Sequence, residues 1–119
     1  MRIWSLALIT TAAVAVAGAA VAHARLVSAT PAPDSVVASP RAVSMTFSGR
    51  MVPAFSGFDL VGPNGAEVAV AASVSDDGKT LSGAPARPLA PGVWRVNWRI
   101  ASTDGHRMTG SYSFTVRQG

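Results

Sequence analysis

Two histidines and one aspartate are the residues of this 119-residue chain best suited to bind a metal ion. The first histidine, His23, follows Ala20-Val21-Ala22, a small-residue sequence typical of a signal-peptidase site. Cleavage after Ala22 would leave His23 with a free α-amine, which together with its ring Nδ1 can chelate one metal ion. The second histidine ends the sequence Asp104-Gly105-His106. A carboxylate and an imidazole two positions apart project to one side of an extended segment, and Gly105 lets the backbone bend between them.

The combined set of three nitrogens and one carboxylate oxygen suits tetragonal Cu(II). An Asp-x-His sequence alone is often only a polar turn, and its coincidence with His23 is what strengthens the metal hypothesis. Cu(I) prefers soft sulfur ligands. The chain has no cysteine, the alternating pattern buries Met45, and Met51 and Met108 are isolated. We therefore predict that the ion is Cu(II), bound and carried without a redox cycle, and that the protein is not an enzyme.

The N-terminal region, residues 1–22, is predicted to be a signal peptide because Arg2 precedes an apolar stretch with a small-residue end. The alternative is a membrane anchor, which about 20 apolar residues can form. Eight of the twenty residues from Ile3 to Ala22 are alanine and two are threonine, a composition that is weakly hydrophobic for a permanent span. Cleavage after Ala24 instead would remove the histidine, so the position of the cut decides whether the chelate exists.

The predicted mature domain, residues 23–119, is long enough for one hydrophobic core and too short for two. It carries nine basic and six acidic residues, a net charge of +3. The arginines are scattered along the sequence and match no nucleic-acid-binding motif, so we expect no nucleic-acid partner. The absence of cysteine means that an exported domain must be held together by core packing without disulfides, and it excludes thiolate metal sites.

Short alternating segments separated by Pro, Gly, Asn and Asp predict an all-β sandwich or barrel. The clearest strand spans Val93 to Ile100, where Trp94, Val96, Trp98 and Ile100 share one face. A second spans Gly110 to Val116, so that Asp104 and His106 fall in the loop between the two best-defined strands. Loops on a rigid β scaffold can display ligands without disturbing the core.

Five further segments bring the predicted strands to seven: Leu26–Ala29, Val43–Phe47, Phe55–Val61, Glu67–Val74 and Thr80–Ser82. Six aromatic residues are expected to supply most of the core: Phe47, Phe58, Trp94, Trp98, Tyr112 and Phe114. Gly62-Pro63-Asn64-Gly65 and Asp76-Asp77-Gly78 are predicted turns.

Several segments together resemble the CopC family of periplasmic copper resistance proteins, and they cover nearly all of the mature chain in order. They are His23 after a leader, Leu26 to Pro31, Phe47-Ser48, Phe55-Ser56-Gly57, Asp77 to Leu81, Pro88 to Gly92, and Ser102 to His106 followed by Thr109 to Phe114. The resemblance implies a seven-stranded Greek-key β-barrel or sandwich, immunoglobulin-like, in the bacterial periplasm. It implies copper binding by the amine and ring of His23, by His106 and by the carboxylate of Asp104, and cleavage after Ala22.

Two positions depart from this family. Some members carry a glutamate directly after the Phe-Ser that matches Phe47-Ser48, where this chain has Gly49. Others carry a methionine-rich loop in the region that matches Gly62 to Ser73, where this chain has none. These departures imply a Cu(II) site without a second protein carboxylate at position 49 and make a separate Cu(I) site doubtful.

The leading functional hypothesis is a monomeric copper-binding protein that sequesters Cu(II) or delivers it to an inner-membrane copper transport protein, with no insertion into the membrane after cleavage. Two alternatives remain open: a small secreted copper monooxygenase with a histidine brace, and a metal-free β-sandwich interaction module. A hydrolase built on Ser102, Asp104 and His106 is weaker, because no nucleophile turn or oxyanion site accompanies them. Whether Asp104 binds the metal directly or orients a histidine ring is also open.

Overall fold

The computed structural model describes residues 24–119, which form two β-sheets packed face to face. The described strands are β1 (Leu26–Thr30), β2 (Val36–Val37), β3 (Val43–Phe47), β4 (Gly57–Val61), β5 (Glu67–Val68), β6 (Val70–Val74), β7 (Thr80–Pro85), β8 (Gly92–Ala101) and β9 (Arg107–Val116). One sheet has the order β1-β3-β7-β6 and the other the order β2-β9-β8-β4-β5. The all-β sandwich predicted from the sequence is confirmed.

The described residues contain nine strands where the sequence predicted seven. The predicted strand from Glu67 to Val74 is divided at Ala69, so that β5 pairs with β4 in one sheet and β6 pairs with β7 in the other. The two-residue strand β2, parallel to β9, was too short to show an alternating pattern. The predicted strand from Phe55 begins only at Gly57, because Pro53–Phe55 forms a 3₁₀ turn.

The antiparallel hairpin of β8 and β9 is the longest element, and it ends at the predicted metal-binding loop. Ten residue pairs join the two strands, from Gly92 opposite Val116 to Ala101 opposite Arg107. Period-two alternation places one side of each strand in the core. The predicted aromatic core is confirmed: Phe47, Phe58, Trp94 and Phe114 are buried, and Trp98 and Tyr112 are partly buried against them. The hairpin therefore holds its loop on a rigid base.

Four segments meet at the end of the sandwich that carries the β8–β9 loop, here called the loop end. They are residues 24–25, 48–56, 75–79 and 102–106. Backbone hydrogen bonds join them in series: Ser48 N–H to Arg25 O at 2.9 Å, Met51 N–H to Gly78 O at 2.8 Å, and Thr103 N–H to Arg50 O at 3.2 Å. The segment 48–51 thus connects the start of the described chain to the β8–β9 loop.

Among residues 24–119, no helix has the length and apolar character needed to cross a lipid bilayer.

Candidate metal site

The loop from Ser102 to His106 is a tight turn fixed by its own backbone. The Ser102 N–H donates to His106 O at 2.8 Å, and the Gly105 N–H donates to Ser102 O at 2.9 Å. Gly105 has φ +97°, a conformation that residues with a Cβ rarely adopt. An isolated β-bridge between Met51 and Ser102 attaches the loop to the neighbouring segment. Asp104 and His106 are therefore held close together by the turn, as the sequence predicted.

The Asp104 carboxylate is the centre of the hydrogen bonding in this loop. Its Oδ1 accepts from the Ser102 hydroxyl, from the His106 backbone N–H at 3.1 Å, and lies 3.1 Å from His106 Nδ1. These donors, with the Ser102 hydroxyl contributing most, lower the pKa of Asp104 from 3.8 to about 2. The carboxylate is consequently ionised at neutral pH and can accept a hydrogen bond from a ring N–H or bind a cation.

The His106 ring lies at the surface, with its Nδ1 against the Asp104 carboxylate. When an aspartate accepts a hydrogen bond from Nδ1–H, the tautomer is fixed and Nε2 carries the lone pair that can bind a metal. This carboxylate–histidine arrangement is the one that metal sites use to orient imidazole ligands. The geometry favours a role for Asp104 in orienting His106 and leaves its Oδ2 without a hydrogen bond from residues 24–119.

The third predicted ligand, His23, lies outside the described residues, as does the predicted signal peptide. The residue that follows it, Ala24, is 4% exposed and belongs to the core cluster. Ala24 packs beside Gly49, and the next residue is fixed by the bond from Arg25 N–H to the Ser48 hydroxyl at 2.9 Å. The described chain therefore begins at the loop end, connected through residues 48–51 to the Asp104 and His106 loop.

Within residues 24–119, no group of three or more His, Cys, Asp or Glu side chains is placed to hold a metal ion. Asp104 and His106 are the two predicted ligands that lie in this part of the chain, and the structure brings them together. The methionines among residues 24–119 do not add a sulfur cluster to them. Met45 and Met51 are buried in the core and Met108 is partly buried against it.

Sequence reasoning considered Ser102, the buried polar residue of the described chain, only as the nucleophile of the weaker hydrolase hypothesis and gave it no role at the metal site. Its hydroxyl donates to Asp104, and a signal for this arrangement was present in the sequence. Ser102-Thr103-Asp104-Gly105-His106 has the same Ser-x-Asp-Gly-x pattern as Ser75-Asp76-Asp77-Gly78-Lys79. The turn pattern occurs twice, and only one copy contains histidine. The shared residues are therefore those that form the turn, and His106 is the additional residue that could bind a metal.

Comparison with known proteins shows the family. The family model described as the CopC domain matches residues 26–117. The copper resistance protein C of Pseudomonas syringae pv. tomato is 42% identical over 109 residues, covering 86% of each chain. The copper resistance protein C of Escherichia coli is 40% identical over 110 residues, covering 86% of this chain and 87% of the relative.

Solved structures give the same result. The structure of PcoC, a methionine-rich copper resistance protein from Escherichia coli, matches with a TM-score of 0.75 and 37% identity, covering 81% of this chain and all of PcoC. The structure of CopC from Methylosinus trichosporium OB3b matches with a TM-score of 0.74 and 36% identity, covering 80% of this chain and 94% of the other. Family model, relatives and fold agree over the described sandwich, and the chain belongs to the CopC family.

Proposed function

We propose that this protein is a periplasmic carrier of Cu(II) that binds the ion between the mature N-terminal His23 and the Asp104–His106 loop. The observation that carries the proposal is the position of Ala24. It packs beside Gly49 at the loop end, and residues 48–51 are hydrogen-bonded to the β8–β9 loop. Ala24, the residue that follows His23 in the sequence, thus lies at the same end of the sandwich as Asp104 and His106.

The donor chemistry favours Cu(II) over Cu(I). An α-amine, two imidazole nitrogens and a carboxylate oxygen are ligands for the divalent ion, and Cu(II) ranks above zinc and nickel at such sites. The buried methionines Met45 and Met51 offer no exposed sulfur pair for Cu(I). Copper is the cargo in this proposal, so no redox step is required of the protein.

Proton competition sets the expected pH dependence of binding. A free α-amine, with a usual pKa of about 7.7 to 8, and the two imidazoles bind Cu(II) only in their deprotonated forms. The Asp104 pKa of about 2 means that this carboxylate does not compete for protons in the same range. We therefore expect the affinity for Cu(II) to rise between about pH 5 and pH 8.

The copper-resistance names of the relatives support a role in copper homeostasis, either by sequestration or by delivery to an inner-membrane transport protein. We propose no catalytic activity. Trp94 is buried on the inner face of β8, and Trp98 packs edge-on against Phe47 with ring centroids 5.1 Å apart. These tryptophans do not form an exposed platform for a polysaccharide, which a copper monooxygenase would need. Oxidised oligosaccharides from chitin or cellulose, formed by the copper-loaded protein with a reductant, would contradict this.

The proposal is tested by titrating the exported, processed protein with Cu(II) against a competing chelator. Intact mass first establishes that the chain begins at His23. We expect N-terminal acetylation and His106→Ala each to weaken Cu(II) binding by more than the roughly 10- to 100-fold typical of losing an outer-shell partner. Tight binding should also raise the melting temperature by mass action. A mass beginning at Arg25, or an acetylated protein that binds Cu(II) as well as the unmodified one, would overturn the proposal.

A further inference from the structure

The loop that carries Asp104 and His106 has a structural twin in the same molecule. Both turns, 75–79 and 102–106, have the Ser-x-Asp-Gly-x sequence and lie at the loop end. In each, the serine hydroxyl donates to Oδ1 of the aspartate, and the fifth residue donates its backbone N–H to the same oxygen. In each, the glycine N–H donates to the serine carbonyl and the glycine φ is positive. The twin shows what this turn requires when no histidine is present.

Two of the differences between the loop 102–106 and its twin concern His106 and the serine that supports it. The fifth residue is His106 in place of Lys79, and its ring Nδ1 adds a third contact, at 3.1 Å, to the Asp104 oxygen. The serine is also in a different environment, because Ser102 is 4% exposed whereas Ser75 lies at the surface. A buried hydroxyl with fixed partners holds its acceptor more firmly than a hydroxyl that water can replace.

We propose that Ser102 is a positioning residue for the copper site, acting through Asp104 on the ring of His106. The inference rests on the proposed function, since it assigns a role within that site. The Ser102 backbone is fixed by its bond to His106 O at 2.8 Å, and the β-bridge to Met51 fixes it from the other side. Its hydroxyl therefore binds the Asp104 carboxylate from a rigid base.

The Ser102 hydroxyl thereby determines how the Asp104 carboxylate and the His106 ring are oriented. Oδ1 of Asp104 is occupied by the Ser102 hydroxyl and by two donors of His106, so the orientation of the carboxylate is set. The carboxylate then holds Nδ1 of His106, which directs Nε2 to the ion. Removing the Ser102 hydroxyl leaves the backbone donor of His106 in place but lets the carboxylate turn, and the ring with it.

The test compares three variants of the processed protein: Ser102→Ala, Ser102→Thr and, as the matched control, Ser75→Ala. Each alanine variant removes one serine hydroxyl from the same kind of turn. We expect Ser102→Ala to weaken Cu(II) binding by about 10- to 100-fold and to broaden or split its Cu(II) EPR spectrum, whereas Ser75→Ala leaves both unchanged. Ser102→Thr keeps the hydroxyl and should restore the wild-type spectrum. A Ser102→Ala protein that binds copper like Ser75→Ala would reduce Ser102 to a turn-forming residue and overturn the inference.

A metal-free measurement separates this inference from the proposed function and covers the case in which threonine does not fit the buried position. The ¹⁵N chemical shifts of the His106 ring report the tautomer of the apoprotein at pH 8. We expect Nδ1–H to dominate in the wild type and in Ser75→Ala, and a mixture of tautomers in Ser102→Ala. If His106→Ala left Cu(II) binding intact while the tautomer still depended on Ser102, the proposed function would fail, and with it the role of Ser102 at the copper site, whereas the orientation of the His106 ring by Ser102 would stand. A tautomer unaffected by Ser102→Ala would refute the positioning itself.

Discussion

Gly49 and Ala24 face each other where the described chain enters the sandwich, and a Cβ on Gly49 would lie 3.4 Å from the Cβ of Ala24. That distance is an ordinary van der Waals contact, so position 49 can accept a side chain. The backbone there requires no glycine conformation, because Gly49 is not among the residues with positive φ. A side chain at this position would extend beside the residue that follows His23, in a family where some members carry glutamate at this point.

The first prediction is that Gly49→Glu tightens Cu(II) binding. A carboxylate placed beside Ala24, the residue that follows His23 in the sequence, would offer the proposed ion a further oxygen donor and a negative charge. We expect a gain in affinity of about tenfold, equal to about 1.4 kcal/mol, in a competition titration at neutral pH. The matched control is Gly49→Gln, which has the same shape without the charge and should give a smaller gain. Equal affinities of the two variants would show that position 49 does not reach the metal.

A second prediction concerns Gly110, which lies opposite Trp98 in the β8–β9 hairpin. A Cβ on Gly110 would lie 2.6 Å from Cε2 of the Trp98 ring and closer still to Cζ2. The ring cannot easily move away, because it packs edge-on against Phe47 at an interplanar angle of 71°. Gly110→Ala should therefore lower the free energy of unfolding by about 1–3 kcal/mol, as overpacking does.

Chemical denaturation measures this effect, and Gly57→Ala in β4 is the control. The nearest atom to a Cβ on Gly57 is Nη2 of Arg99, at 3.1 Å, which is the flexible end of an exposed side chain. We expect this control to change stability by less than about 1 kcal/mol. If both alanine variants were equally stable, the contact with the Trp98 ring would not explain why position 110 is glycine.

The fold class could be predicted from the sequence because alternation of buried and exposed residues is a local pattern. Strict alternation through Val93 to Ile100 identifies β8 and its inward face, and the strand from Val43 to Phe47 was predicted with its observed bounds. The division of Glu67–Val74 between two sheets was not readable, because the alternating pattern runs through Ala69 without a break. Pairing between distant strands decides that division, and a local pattern does not report it.

The candidate ligand residues could be predicted from the sequence, but the contacts that hold them in place could not. Asp104 and His106 could be paired because they lie two positions apart, and Gly105 indicated the turn between them. The link from Ala24 through residues 48–51 to Thr103 joins segments that are far apart in sequence, so only the folded chain reveals it. The burial of Ser102 likewise depends on the packing of the loop end as a whole.

A third prediction follows from the hydroxyl of Tyr112, which is buried without a hydrogen-bond partner among residues 24–119. Burial raises the pKa of this phenol from 10.0 to about 12, because the charged form loses its hydration. Tyr112→Phe keeps the ring and removes the unpaired group, so we expect the free energy of unfolding to rise by about 1 kcal/mol.

Thermal denaturation measures the gain in stability, and a pH titration tests its cause. The chain has one tyrosine, so the tyrosinate absorbance of the folded protein reports Tyr112 alone and should appear near pH 12. In the unfolded protein it should appear near the usual value of about 10. A Tyr112→Phe protein that melts at a lower temperature than the wild type would mean that the hydroxyl has a partner in solution.

The last prediction uses the turn 75–79, where Asp77 accepts a hydrogen bond from the Ser75 hydroxyl at 2.6 Å and from the Lys79 N–H at 3.0 Å. The Ser75 bond is the largest of the effects that lower the pKa of Asp77 below 3.8 in the folded state. A lowered folded-state pKa means that the ionised carboxylate stabilises the fold at any pH above 3.8. This contribution is lost as the pH falls through the lower folded value.

We therefore expect Asp77→Asn to be less stable than the wild type between pH 5 and pH 7, with the difference shrinking toward zero as the pH falls below 3.8. Urea denaturation of the metal-free protein across this range measures it. Asp76→Asn removes the same charge from the same turn, and within residues 24–119 the Asp76 side chain makes no hydrogen bond. If the two asparagine variants lost stability equally and with the same pH dependence, net charge would explain the effect, and the hydrogen bonds of the Ser-x-Asp-Gly turn would contribute nothing measurable.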